Sequence, residues 1–173
     1  MSYLTADQLV FPVKRYKILG YKFGQRARRK LILWATHLGD DVGEEGSKVV
    51  AIGNGEVVWS EVRYGNEKKH NWGGLIVLGH RGKEKNFYSV YGHLRDLKVR
   101  VGDQVVMGQP LGLVAEGRTP ENGWWKIPHL HFAIYVGPWQ DRVLPGFEQW
   151  WNRQTKKKWW KNPKGFIKAY NRV

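Results

Sequence analysis

The chain contains no cysteine. Disulfide staples and thiolate metal sites are therefore excluded, and His, Asp and Glu are the strong metal ligands that remain. Acidic residues are scarce, 15 Asp and Glu against 29 Lys and Arg, and the net charge of +14 points to a polyanionic partner or to solubility alone. No run of about 18 apolar residues occurs, so no membrane-spanning helix is expected. The N-terminal MSYLTADQLVFPVKRYK lacks a basic stretch followed by a long apolar core, so no signal peptide is visible. GxSxG, Walker A and HExxH are all missing, which removes the signatures of serine hydrolases, P-loop nucleotide binding and helix-borne zinc peptidases.

What is present is alternation broken by glycine. With 173 residues and 42% hydrophobic content the chain can bury a proper core, and one domain over 1–173 is expected. VVAI at 49–52, then GNG, then EVVW at 56–59 reads as two strands joined by a tight turn. GLIVLGH at 74–80 and FYSVYGHL at 87–94 read as a second hairpin, and the segment 97–117 repeats the logic around its Gly-Asp and Gly-Gln-Pro turns. HLHFAIYV at 129–136 is one more strand. The expected class is all-β, a compact antiparallel sheet domain.

The last part of the chain differs. Residues 137–173 hold five of the ten Trp and nine Lys and Arg against two acids, a basic Trp-rich C-terminal extension. Phe147, Trp150, Trp151 and Gln154 share one face of a short helix after Pro145. That helix either packs its aromatics on the β core with its lysines solvated, or offers a basic aromatic surface to a wall polymer or nucleic acid. RARRK at 26–30 reads as a solvated charge run.

In an extended segment side chains alternate, so in HLHF His129 and His131 point to one side while Leu130 and Phe132 point to the other. THLGDDVG at 36–43 adds His37 and, four residues on, Asp41, again on one face, with Gly39 leaving room for close approach. Two imidazoles and one carboxylate with a fourth position open is a pattern of catalytic zinc. His93 follows Gly92 in YSVYGHL. The remaining histidines read as structural: His80 at a hairpin turn, His70 in a polar loop. Asp40 faces away from Asp41 and is expected to be hydrogen-bonded or solvated.

HxGxD at 37–41, YGHL at 91–94, VxxGDxVxxGQPLG at 99–112 and HLHF at 129–132, in that order, resemble the lysostaphin and LytM type of zinc metalloendopeptidase. The resemblance extends over roughly residues 11 to 167 and includes FGQR at 23–26. It implies a compact antiparallel β-sheet lining a narrow substrate groove. It implies one zinc ion per chain on His37, Asp41 and His131, with His129 and His93 as a catalytic pair whose division of labour the sequence leaves open. Zinc on two neutral imidazoles and one carboxylate keeps a positive charge and lowers the pKa of water toward about 7, which suits amide hydrolysis. The implied substrates are peptide cross-links or bridges of bacterial peptidoglycan. The basic charge adds anionic wall polymers as expected partners, and no specific nucleic acid and a monomeric state are expected. An extracytoplasmic protein or a phage lysin follows.

The chain departs from the family pattern before HLHF, where EGRTPENGWWKIP replaces a loop of small residues. Trp124 and Trp125 are expected to build a bulkier groove wall, and Tyr91 either touches substrate or packs within the sheet. The polar loop in VRYGNEKKHNWGG at 62–74 is a second place for specificity. A catalytically silent wall-binding or regulatory module on the same fold is the alternative, although all five metal and catalytic positions are present. A basic nucleic-acid binder would explain the charge but not the ordered histidines. A lipoyl-type carrier lacks its lysine at a hairpin tip.

Overall fold

The computed structural model describes residues 3–29, 33–148 and 157–172. Its strands, in chain order, are β1 (Arg26–Arg29), β2 (Leu33–His37), β3 (Asp40–Val42), β4 (Lys48–Val50), β5 (Gly55–Arg63) and β6 (Gly73–Arg81). They continue as β7 (Asn86–Arg95), β8 (Gln104–Val105), β9 (Pro110–Val114), β10 (Leu130–Tyr135), β11 (Phe147–Glu148) and β12 (Trp160–Lys161). Among the described residues there is one α-helix, α1 (Pro163–Tyr170), and a single 3₁₀ turn at Lys157–Trp159. The larger sheet runs β12-β10-β7-β6-β5-β8, with β3 added to β10 and with β9 bridging β4 and β7; β1, β2 and β11 form a small second sheet. The strand pairings are antiparallel, as expected of an all-β chain.

The central strands are buried on both faces, which is why they read as nearly continuous apolar runs. Along β6, Ile76 and Leu78 enter one core, whereas Leu75 and Val77 enter the other. Along β10, Leu130, Phe132 and Ile134 face the first core, and Ala133 and Tyr135 face the second. The first core is closed by Leu9 and Val13 near the N-terminus and by Ile167 of α1. The second is closed by Tyr3, Leu38, Leu144 and Trp160. Truncating Phe132, fully enclosed, removes contacts worth about 3–5 kcal/mol.

Two local expectations are corrected. The segments around 49–52 and 56–59 do form strands, but they do not pair with each other: β4 pairs with β9, and β5 with β6 and β8. The turn between them carries the chain from one pairing to another, a choice made by distant strands rather than by the GNG sequence. The helix expected after Pro145 is absent at Phe147, which lies in β11 opposite His37. Trp150, Trp151 and Gln154 lie outside the described residues. The helix starts instead at Pro163, where the missing N–H costs nothing at the first turn and the Asn162 side chain accepts from the Gly165 N–H. Its end is tied to the opposite terminus: the Asn171 side chain accepts from the Leu9 N–H and donates to the Leu9 carbonyl, at 2.9 and 2.7 Å. RARRK falls partly on β1, where Arg26 is exposed and Ala27 buried.

His80 takes the structural role expected of it. Fully buried, it donates from Nδ1 to the Asn54 carbonyl at 2.7 Å and meets Ser89 Oγ through Nε2 at 2.7 Å. Burial pushes its pKa down to about 4, against the Asn54 bond that favours the charged form. An unfolded histidine titrates near 6.5, so the stability that neutral His80 contributes is present above that pH and is lost as pH falls toward 4. The expected loss is about 3 kcal/mol. Urea midpoints measured from pH 7.5 to 4 should fall more steeply for the parent than for His80→Gln.

Candidate metal centre and catalytic cleft

Strand register assembles the site. β10 lies between β3 and β7, so that His131 sits opposite Asp41 on one side and Gly92 on the other. His37 ends β2, and a tight passage through Leu38 and Gly39 leads into β3. A Cβ on Gly39 would lie 2.5 Å from the Phe132 carbonyl oxygen and 2.8 Å from His131 Nε2, so only glycine lets the two strands close at this point.

Three side chains converge as a result. His37 Nε2, His131 Nδ1 and Asp41 Oδ1 form a triangle with sides of 2.9, 3.1 and 3.3 Å. Ligand atoms on a tetrahedral zinc ion with bonds of about 2.0–2.1 Å are separated by about 3.3 Å, so the triangle has the dimensions of one face of such a site. All three residues are buried. Asp41 is aimed by its other oxygen, Oδ2, which accepts the Tyr21 N–H at 2.9 Å, while Gly20 leaves room for the carboxylate. Among the described residues its Oδ1 has no hydrogen-bond partner, and a buried carboxylate oxygen without a donor is costly. A cation at the centre of the triangle removes that cost, and the donor set of two nitrogens and one oxygen suits zinc.

The electrostatics suit the same group. Burial pushes the Asp41 carboxyl up, but His131, His37 and His129 outweigh it and hold the group well below the usual carboxylate range. Burial pushes His131 down to about 4 despite its contact with Asp41, so at neutral pH the imidazole is uncharged and offers a lone pair. Asp40 turns away, accepting from Tyr16 OH at 2.7 Å and from the Phe23 N–H at 2.9 Å, as its parity implied.

His129 and His93 stand beside the triangle, their ring centres 4.6 Å apart. His129 Nδ1 donates to the Ile127 carbonyl at 2.7 Å, which leaves its Nε2 as the lone-pair nitrogen of the neutral ring, 3.6 Å from Asp41 Oδ1. His93, within β7, has a left-handed backbone, φ 66°. That turn resets the alternation: Gly92 packs beneath Trp72 and His131, Leu94 returns to the first core, and the His93 ring is left lining the cleft. Burial, and then the neighbouring His129 and His131, hold His93 well below its ordinary value and keep it neutral.

These five side chains line one cleft of about 210 Å³, with Tyr21, Trp125 and Phe147 on its walls and the exposed Lys126 and Ile127 at its rim. Trp124 lies outside it, in an adjoining basin. Tyr91 has no face toward the cleft: it is enclosed in the first core and its hydroxyl accepts the Ile52 N–H at 3.1 Å. Its packing role follows from its parity in β7, opposite to that of Val90. Sequence reasoning passed over Tyr21 and Trp72 and placed Phe147 on a helix rather than at the cleft. Trp72 meets the His131 ring edge-on at 4.9 Å and stacks toward His93 at 6.0 Å. Its one sequence signal is a large aromatic at the end of a polar loop, immediately before Gly73-Gly74.

Comparisons with known proteins fit this geometry. No curated protein matches the chain by sequence. The catalytic domain of the antimicrobial peptidase lysostaphin from Staphylococcus simulans is 26% identical, with a TM-score of 0.56 over 88% of this chain and 92% of that one. A zinc-containing peptidase from Vibrio cholerae is 24% identical, with a TM-score of 0.55 over 72% of this chain and 35% of that one, a likeness of fold. The profile of peptidase family M23 matches residues 35–143, more than half of the chain. With a lysostaphin-type fold and that match, the chain belongs to peptidase family M23.

Proposed function

We propose that the protein is a zinc-dependent endopeptidase that hydrolyses peptide cross-links or bridges of bacterial peptidoglycan. The observation that carries this reading is the triangle of His37 Nε2, Asp41 Oδ1 and His131 Nδ1, sized for one zinc ion and open toward a cleft. Bound there, zinc supplies Lewis acidity toward a water and toward the scissile carbonyl. His129 Nε2 is the proton acceptor for the attacking water, because its Nδ1–H is committed to the Ile127 carbonyl; the same nitrogen then returns the proton to the leaving amine. His93, kept neutral by burial, offers an N–H to the oxygen that gains negative charge. Trp72 holds the His93 and His131 rings in place from behind.

The peptidoglycan assignment is supported by likeness to a catalytic domain described as that of an antimicrobial peptidase. Charge supports wall association as well: Lys157, Lys158, Lys161, Lys164, Lys168 and Arg172 are all exposed, and residues 157–172 contain no acid. Anionic wall polymers are the partners this surface suits.

Metal analysis of the purified protein should find close to one zinc per chain, and His37→Ala or Asp41→Ala should lose it. Zinc added to metal-free parent should raise Tm, by an amount equivalent to about 4 kcal/mol at a thousandfold excess over Kd. His129→Ala should keep the metal and lose about 10²- to 10⁴-fold in turnover. Digestion of walls that differ in their cross-bridges, with and without chelator, followed by mass spectrometry of the fragments, identifies the bond. Parental digestion by His129→Ala would overturn the assignment of the base; digestion that survives full chelation would overturn the metal reading.

A further inference from the structure

A second depression of about 310 Å³ adjoins the cleft, lined by Glu67, His70, Arg118, Trp124 and Lys126. Lys126 lines both. His70 packs on Trp125 with ring centres 4.6 Å apart, and the rings of His93 and His129 lie 6.1 and 6.4 Å from the same indole. Lys126 is therefore the shared wall, with Trp125 of the cleft packed against His70 of the basin, and a peptide running from the centre across them would reach the basin.

The basin is built on a stiff frame. Arg118 and Trp124 both hold left-handed backbones, φ 59° and 64°, a conformation unfavourable to residues with a Cβ that surrounding bonds must offset. The Arg118 N–H donates to the Trp125 carbonyl at 2.7 Å and the Trp124 N–H to the Thr119 carbonyl at 2.9 Å. The Asn122 side chain donates to the same Trp125 carbonyl at 2.8 Å. This loop is locked onto the loop that ends at Gly73: the Asn71 N–H donates to Gly123 at 3.1 Å and the Gly74 N–H to Glu121 at 2.9 Å. Backbones approach so closely that a Cβ on Gly73 would lie 1.7 Å from the Glu121 oxygen, and one on Gly123 2.0 Å from the Asn71 oxygen. The Trp125 indole N–H completes the joint by donating to Asn71 at 3.2 Å.

Held on this frame are two exposed cations, Arg118 and Lys126, and among the described residues neither has an acidic partner within ion-pair distance. Glu67 is the one acid among the described residues that line the basin, and it pairs with neither. We propose that the basin is an anion subsite of the peptidase, taking a carboxylate that an acidic peptide substrate carries outward from the scissile bond. Arg118 supplies a planar two-donor fork to the carboxylate and Lys126 a point charge beside the cleft. The subsite rests on the peptidase reading and names the class of peptide that site prefers.

The test is a peptide series in which one carboxylate is moved outward residue by residue from the cleaved bond, each peptide paired with its carboxamide twin. Two quantities are read: the acid-to-amide ratio of kcat/KM with parent enzyme, and the acid-to-amide ratio of affinities for zinc-loaded His129→Ala protein by calorimetry. At one position the acid should be favoured about tenfold. Arg118→Ala and Lys126→Ala should each cut that ratio about fivefold, Glu67→Gln should raise it, and high salt should shrink it. A ratio near one at every position, or a ratio that Arg118→Ala leaves unmoved, overturns the subsite. If the parent cuts none of the peptides, the peptidase reading fails on its own, and the affinity ratio still decides whether the basin selects a carboxylate.

Discussion

The pairing of β10 with β3 and β7 is the constraint from which the site follows. Two antiparallel neighbours place Asp41 and Gly92 on either side of His131, and the His37 end of β2 folds over them through a glycine that admits no side chain. Slipping β10 by one residue would turn His131 into the first core and bring Phe132 or Leu130 to the centre. Register is protected against that slip because Leu130, Phe132 and Ile134 fill one core while Ala133 and Tyr135 fill the other. Burial of the sheet on both faces thus maintains a cluster of donor atoms that would repel one another without a cation or a proton between them.

Polar and strained features gather at this end of the sheet. Among the described residues, the left-handed His93, an Asp41 oxygen with no hydrogen-bond partner, and Arg118 and Lys126 with no acidic partner all stand around the cleft and its basin. The opposite end of β7 is ordinary by comparison: His80 has both ring nitrogens bonded and stacks on Phe87 at 4.7 Å. The same residue type is a satisfied core group at one end of the sheet and part of a donor cluster at the other. The difference lies in what the surrounding strands present to it.

Much of this was readable in the linear chain because β alternation is a local property. Parity alone puts His129 and His131 on one side, separates Asp40 from Asp41, and shows β6 and β7 as a hairpin. Pairing between segments far apart is not local, so the separate partners of β4 and β5 were not visible in the GNG turn between them. The helix position failed for a related reason: Phe147 is captured by β2, and the helix forms where Asn162 and Pro163 can start it and Ile167 can reach the first core. Trp72 was unreadable because its role depends on a space above Gly92 and beside His131 that exists only after three strands have met.

The sequence by itself determined the chemistry on offer: imidazoles and a carboxylate without thiols, spaced by strand periodicity, and the all-β class that such spacing requires. Only the tertiary structure decided that His37, Asp41 and His131 come within 3.3 Å of one another, that Tyr91 is enclosed in a core, and that Arg118 shares a basin with Lys126. Residue type and alternation are written into neighbouring positions of the chain. Convergence depends on long-range register and on glycine contacts between backbones, which no short stretch of sequence contains.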